Sequence, residues 1–268
     1  MVDITPMSPA DIENKSFEII RGLLKEQGLE LTGPCPGSGS NAENLGDDRG
    51  TGSGYALEWD IICRCIHTTA DTEFARTMRF SKDAVDIIQK LIREGADIVT
   101  DTNMALTGIS KKKLESYGGS VHCFMADTDV AKEASERGVT RAYVAMEKAA
   151  RIYGTRAGAS AQTDAAMQTG AAAQAEASQT DAALCKPVIF AVGNAPTALV
   201  SLHNLKQAGI FTPSFVIGVP VGFVNVAASK ELIMSDDIPY IVNEGNKGGS
   251  PVAAAIINAV LKHMDLQQ

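Results

Sequence analysis

Of the four histidines in this chain, only His67 closes a helical pattern beside polar residues, here Thr68, Thr69 and Asp71. The helix dipole favours the protonated form of an imidazole at a helix C-terminus, and such a group can give and take a proton near neutrality. The same placement suits a plain helix cap that binds the last carbonyls, and both readings stand at this point. Arg64 lies three residues earlier, on nearly the same helix face. Arg141, in Val139-Thr140-Arg141-Ala142, opens another helical run. Arginine forks grip carboxylates bidentately, although most arginines simply decorate a solvated surface. Cys63-Arg64-Cys65-Ile66-His67 has the composition of a metal site without its geometry. On a helix Cys65 is turned about 200° from Cys63, and no second Cys/His cluster completes a tetrahedral site. His122 and Cys123, on a strand, point to opposite faces. No metal is expected.

Two turns add a different chemistry. The apolar run Val188–Val192 leads into Gly193-Asn194-Ala195-Pro196-Thr197, a strand that ends in a tight turn and opens a helix. Pro196 suits the first helical turn, where its missing N–H is not needed. Such a turn is expected to leave backbone N–H groups free for an anionic group. Gly248-Gly249-Ser250, before an apolar helix, reads either as an anion nest or as an ordinary loop and N-cap. Lys247 beside it adds charge. No Gly-x-Gly-x-x-Gly fingerprint and no Walker-type loop occur, so no nucleotide cofactor is expected.

These residues need elements to position them. Ser8-Pro9-Ala10-Asp11 marks a helix start, followed by an apolar stripe of Ile12, Phe17, Ile20, Leu23 and Leu24. A second helix is expected over roughly Ala56 to Ile66. Ser81 caps a third, with Val85, Ile88, Leu91 and Ile92 inward and Gly95 as its stop. Beyond it, strand candidates Ile98–Thr100, Val121–Met125, Val188–Val192, Phe215–Val219 and Tyr240–Val242 alternate with helical stretches, the last running from about Pro251 to His263. That alternation predicts a three-layer α/β fold with five parallel strands, doubly wound and covered on both faces. The turns Asn194–Thr197, Gly222–Asn225 and Gly248–Ser250 would then share the carboxyl edge of the sheet, where open α/β folds bind ligands. Two stretches interrupt the pattern. Residues 31–54 are rich in Gly, Ser, Asp and Asn, while 156–183 is dominated by Ala, Gln, Thr and Ser and has one large apolar side chain, Met167. Both read as insertions in a single domain spanning 1–268.

Composition narrows the partners. A formal charge of −8 makes nucleic acid a poor ligand, though a few convergent Arg and Lys residues can still build a locally positive pocket. Five cysteines without a framework spacing suggest reduced thiols and a cytoplasmic protein. The longest apolar runs fall far short of a membrane span.

Together with Ile66-His67-Thr68-Thr69-Ala70-Asp71 and Gly218-Val219-Pro220-Val221-Gly222-Phe223-Val224, these turns form a set whose order and spacing resemble the precorrin-8X / cobalt-precorrin-8 methylmutases of cobalamin biosynthesis. The resemblance covers nearly all of the chain outside 31–54 and 156–183. It implies a flavodoxin-like fold, a homodimer, and an isomerase that moves a methyl group from C-11 to C-12 of a precorrin-8 macrocycle, with neither cofactor nor external methyl donor. It makes His67 the proton donor and acceptor. By the same resemblance Ser16, Arg64, Asp101, Met104, Arg141, Asn194, Ala195, Thr197, Lys247, Gly248, Gly249 and Ser250 contact the tetrapyrrole substrate. The His-Thr-Thr-Ala-Asp stretch looks more like the members that act on the cobalt form. The rival expectations are a non-catalytic corrinoid or anionic-ligand carrier on the same fold, and a phosphate- or flavin-binding protein.

Overall fold

The computed structural model describes residues 8–29, 53–158 and 186–266. The insertions expected at 31–54 and 156–183 therefore lie almost wholly outside the described residues. At their margins, residues 53–54 begin a helix and 156–158 end one. In chain order the elements are α1 (Pro9–Glu26), α2 (Ser53–Thr69), α3 (Phe74–Thr77), β1 (Met78–Phe80), α4 (Ala84–Arg93), β2 (Asp97–Thr100), α5 (Asn103–Gly108), α6 (Lys111–Ser116) and β3 (Val121–His122). They continue with α7 (Thr128–Arg137), α8 (Arg141–Gly158), β4 (Val188–Val192), α9 (Pro196–Gln207), β5 (Phe215–Gly218), α10 (Val226–Ser235), β6 (Tyr240–Asn243) and α11 (Ser250–Asp265).

This is a mixed α/β fold. The described strands form one six-stranded sheet in the order β1-β6-β5-β4-β2-β3. Strands β2 to β6 pair in parallel, as expected of five apolar runs separated by helices. The sixth strand corrects the expectation of an all-parallel, five-stranded sheet: β1 runs antiparallel along β6, with Arg79 opposite Val242. Three residues are too few for a period-2 pattern to show in sequence. An antiparallel edge strand is a common addition to a parallel sheet.

Successive residues of the central strands divide between two cores. Ile98, Ile189, Ala191, Phe215, Ile217 and Ile241 join side chains of α1, α2, α4 and α11. Val99, Phe190, Val192, Val216 and Val242 join those of α7 to α10 on the other face. Burial on both faces explains why β4 reads as one unbroken apolar run. Helix α1 begins as its sequence predicts, with the Ser8 hydroxyl accepting from the Asp11 N–H at 3.2 Å. Its expected stripe is only partly inward: Ile20 and Leu24 are buried, whereas Ile12 and Leu23 face outward.

The chain direction reverses between β2 and β4. From β2 it crosses one way to β3, and from β4 it crosses the other way to β5 and β6. Ligands of open α/β sheets bind outside the carboxyl ends of strands at such a switch point. In this chain the residues there are Asp101–Asn103 after β2 and Gly193–Ala195 after β4.

Candidate functional site

Asp101 occupies the base of the switch point and is fully buried. Its Oδ1 accepts from the Gly193 N–H at 2.9 Å, and its Oδ2 from those of Asn194 and Ala195 at 2.8 and 2.6 Å. Burial pushes the Asp101 carboxyl above its ordinary value, and the three amides pull it back. The amides that the strand-turn-helix pattern was expected to leave free are thus already bound to a carboxylate of the same chain. Asp101 shapes the turn from beneath, and the turn presents Asn194 outward with Ala195 and Thr197 half-buried beside it.

Neighbouring loops close on this turn. A Cβ on Gly193 would lie 2.6 Å from Ser250 Cα, so only glycine lets α11 begin this close to the turn. Gly248 is more constrained: its φ is +154° and a Cβ would come within 2.1 Å of the Val219 oxygen. The Gly249 N–H donates to that same oxygen at 2.9 Å, so one amide of the expected nest is already used. The hydroxyls of Ser250 and Thr102 bond at 2.8 Å, and Thr102 also N-caps α5. On the other flank the Thr140 and Thr197 hydroxyls meet at 2.7 Å, bringing exposed Arg141 to the edge beside Thr197. Met104, on α5, points largely to solvent.

The second group of expected residues sits where α1 crosses the end of α2. His67 is exposed, and its ring stacks on Phe17 with centroids 5.6 Å apart and planes 12° from parallel. Near the end of α2 the carbonyls of Arg64, Cys65 and Ile66 are bonded by other groups. Thr68 Oγ1 bonds the Arg64 carbonyl and Thr69 Oγ1 the Cys65 carbonyl, while Ala70 N–H bonds Ile66. Both threonines thus bond back to carbonyls inside the helix ladder, while the His67 ring packs on Phe17. Arg64 bridges to Glu13 at 2.5 Å and lies over the Phe17 ring, 4.8 Å from its centroid. Glu13 also receives Lys262, and these two cations hold its carboxyl below the ordinary value. Ser16 Oγ bonds the Ile12 carbonyl one turn back at 2.7 Å.

The two groups are tied together. Lys247, in the loop after β6, pairs with Asp71 and Glu73 just beyond the end of α2. A cavity of 560 Å³ is lined by Arg64 and Thr68 of α2, Lys113, and Pro251, Asn258 and Lys262 of α11. Beneath the Lys247–Ser250 loop, buried Lys230 donates to the carbonyls of Gly245 and Lys247, both at 2.8 Å, and burial lowers its pKa to about 8. Asn243 supports the same Lys247 carbonyl at 2.5 Å.

Sequence reasoning missed Phe17, Glu13 and Lys230 as parts of this site. Phe17 was visible only as one member of an apolar stripe, and a lysine mid-helix gives no sign that it is buried. Cys63 and Cys65 are buried, and burial lifts the Cys63 thiol to about 11. Among the described residues no group of three or more His, Cys, Asp or Glu side chains is placed to hold a metal. No described helix is long and apolar enough to cross a membrane.

Comparison with known proteins gives a consistent result. The sequence model of the precorrin-8X methylmutase family matches residues 43–159 and 157–263. The chain is 34% identical to the cobalt-precorrin-8 methylmutase of Priestia megaterium over 254 residues, covering 95% of this chain and 88% of that one. It is also 34% identical to the Salmonella typhimurium LT2 cobalt-precorrin-8 methylmutase, covering 96% of each. The crystal structure of the precorrin-8X methylmutase from Thermus thermophilus superimposes with a TM-score of 0.66 at 29% identity, covering 95% of this chain and 98% of that one.

Proposed function

Because this chain belongs to the precorrin-8X methylmutase family, we propose that it moves a methyl group from C-11 to C-12 of a precorrin-8 macrocycle, with His67 as the proton-transfer residue. It is an isomerase of cobalamin biosynthesis. The observation that carries the role of His67 is its position: exposed at the end of α2, with its ring stacked on Phe17 beside Arg64.

The methyl group leaves one ring carbon and joins another of the same molecule, so atoms balance without an external donor. What the protein must supply is grip and control of protonation. His67, held flat against Phe17, protonates or deprotonates the ring and so selects the tautomer that migrates. General acid–base help of this kind contributes about 10²–10⁴ in rate. Arg141 at the sheet edge and Arg64 beside His67 take substrate carboxylates, Arg64 by exchanging its Glu13 partner for the ligand. Ser16, Met104, Asn194, Ala195, Thr197 and Lys247–Ser250 line the ring. Asp101 acts through the turn it holds. We read the five parallel strands as a flavodoxin-like unit and the chain as one domain over 1–268, working as a cytoplasmic homodimer on the cobalt form. Light scattering on the purified protein checks the dimer, whose mass should be twice that of the 28.2 kDa chain.

The test is to mix purified protein with precorrin-8 with and without cobalt and follow the visible spectra. Conversion of both, faster for the cobalt form, is expected. Conversion of the cobalt-free form alone would overturn the substrate assignment.

A further inference from the structure

The loop after β5 is at odds with the rest of the surface. Phe223 is 91% exposed, Val224 78% and Val221 46%, whereas the strand that precedes them is wholly buried. A phenylalanine left in water forgoes the stabilisation of burial, and this loop has a defined backbone path. The Gly222 N–H donates to the Asn246 carbonyl at 3.0 Å, with Gly222 at φ +144°. Asn225 closes the loop at φ +59° as the N-cap of α10. Asparagine is one of the few residues besides glycine that enters this left-handed region readily. In this conformation the loop carries Phe223 and Val224 outward.

Its place in the fold says toward what. In the sheet order β4 separates β2 from β5. The Asn194–Thr197 turn is therefore flanked by Met104, 65% exposed, on the β2 side and by Phe223 and Val224 on the β5 side. The loop is also locked to Lys247–Ser250 through the Val219 carbonyl. Apolar side chains thus bracket the polar turn at the ligand edge, with Arg141 beside it. That pattern complements a flat ring with apolar faces and an acidic rim. A second copy of the chain fits less well. The exposed apolar group is a few side chains, whereas each partner in a standard interface gives roughly 800 Å².

We propose that Phe223, with Val224 beside it, packs against an apolar face of the corrinoid macrocycle and sets its position over the Asn194–Thr197 turn. This rests on the methylmutase reading above. The experiment titrates the full chain with cobyrinate, followed by visible absorbance, for wild type, Phe223→Ala, Phe223→Tyr and Arg141→Ala at two salt concentrations, with mass by light scattering on the same samples. Phe223→Ala should weaken binding roughly ten- to a hundredfold, the hydrophobic loss at 1.4 kcal/mol per decade. Phe223→Tyr should stay within about threefold of wild type. The loss in Phe223→Ala should be nearly insensitive to salt, unlike that in Arg141→Ala. Equal binding by wild type and Phe223→Ala would overturn the inference and leave the methylmutase reading intact. A fall in mass for Phe223→Ala with unchanged affinity per chain would overturn it in favour of a subunit contact. Failure of the wild type to bind cobyrinate would count against the methylmutase reading itself, and the inference would fall with it.

Discussion

The switch-point edge and the α1–α2 corner both carry expected chemistry but are built on opposite principles. At the edge, backbone groups face inward to one buried carboxylate, Asp101, and glycines allow loops to touch at distances no side chain would permit. At the corner, His67 and Arg64 are held by a stacked ring and by ion pairs at or near solvent. Buried networks of the first kind are costly to damage, whereas exposed pairs of the second kind contribute little to stability. The buried network at the edge is therefore a scaffold whose loss should destabilise the fold, and the corner a reactive surface whose mutants should lose turnover while staying folded.

The largest effect on stability should come at Asp101. Asp101→Ala strands three amides, at about 1–3 kcal/mol for each group left unsatisfied. Even 3 kcal/mol in total corresponds to a fall in Tm of roughly 6–12 °C for a domain near this size. A thermal melt showing less than about 2 °C would remove the contrast between the regions. Arg141→Ala comes next and reads out in affinity alone. A charge-assisted bond is worth about 1.5–3 kcal/mol, so corrinoid binding should weaken roughly ten- to a hundredfold. Arg141→Lys should recover only part of that, since it keeps the charge but loses the planar fork. Equal dissociation constants for all three proteins would return Arg141 to the surface.

Lys230 gives a pH test of the scaffold. Its folded pKa, about 8, lies below the ordinary 10.5, so between those values the unfolded chain binds more protons than the folded one. Stability therefore rises with pH across that window. The wild type should gain Tm from pH 8 to 10.5 relative to Lys230→Met, and parallel curves would contradict the burial of a charged ammonium. Glu13 carries the smallest effect. Its folded pKa is lowered by Lys262 and Arg64, so its stabilisation is present above the ordinary 4.5 and is lost as the pH falls through the depressed value. Glu13→Gln should cost at most about 1 kcal/mol at pH 7, with the difference from wild type vanishing in acid.

The contrast also marks what could be read from residues alone. The parallel strands fall within a few residues of their expected bounds, because short β-branched runs bounded by Gly and Pro are local signals. Strand β1 escaped because three residues set no period. Strand order escaped because it is decided by packing between distant segments. The carboxyl-edge turns were legible as turns, yet not the occupancy of their amides: Asp101 reaches Gly193 across 92 positions of sequence. At the corner, His67 stood out by its place at a helix end, while its stacking partner Phe17 lies on another helix, joined to it only by folding.

His67 is the group proposed to move a proton on the macrocycle. The direct measurement is single-turnover conversion of cobalt-precorrin-8 by wild type and His67→Ala, followed by visible absorbance, with cobyrinate affinity measured on the same preparations. His67→Ala should convert the substrate slower by roughly two to four orders of magnitude, with affinity within several-fold and an unchanged Tm. Turnover near the wild-type rate in a folded, ligand-binding His67→Ala protein would contradict that role.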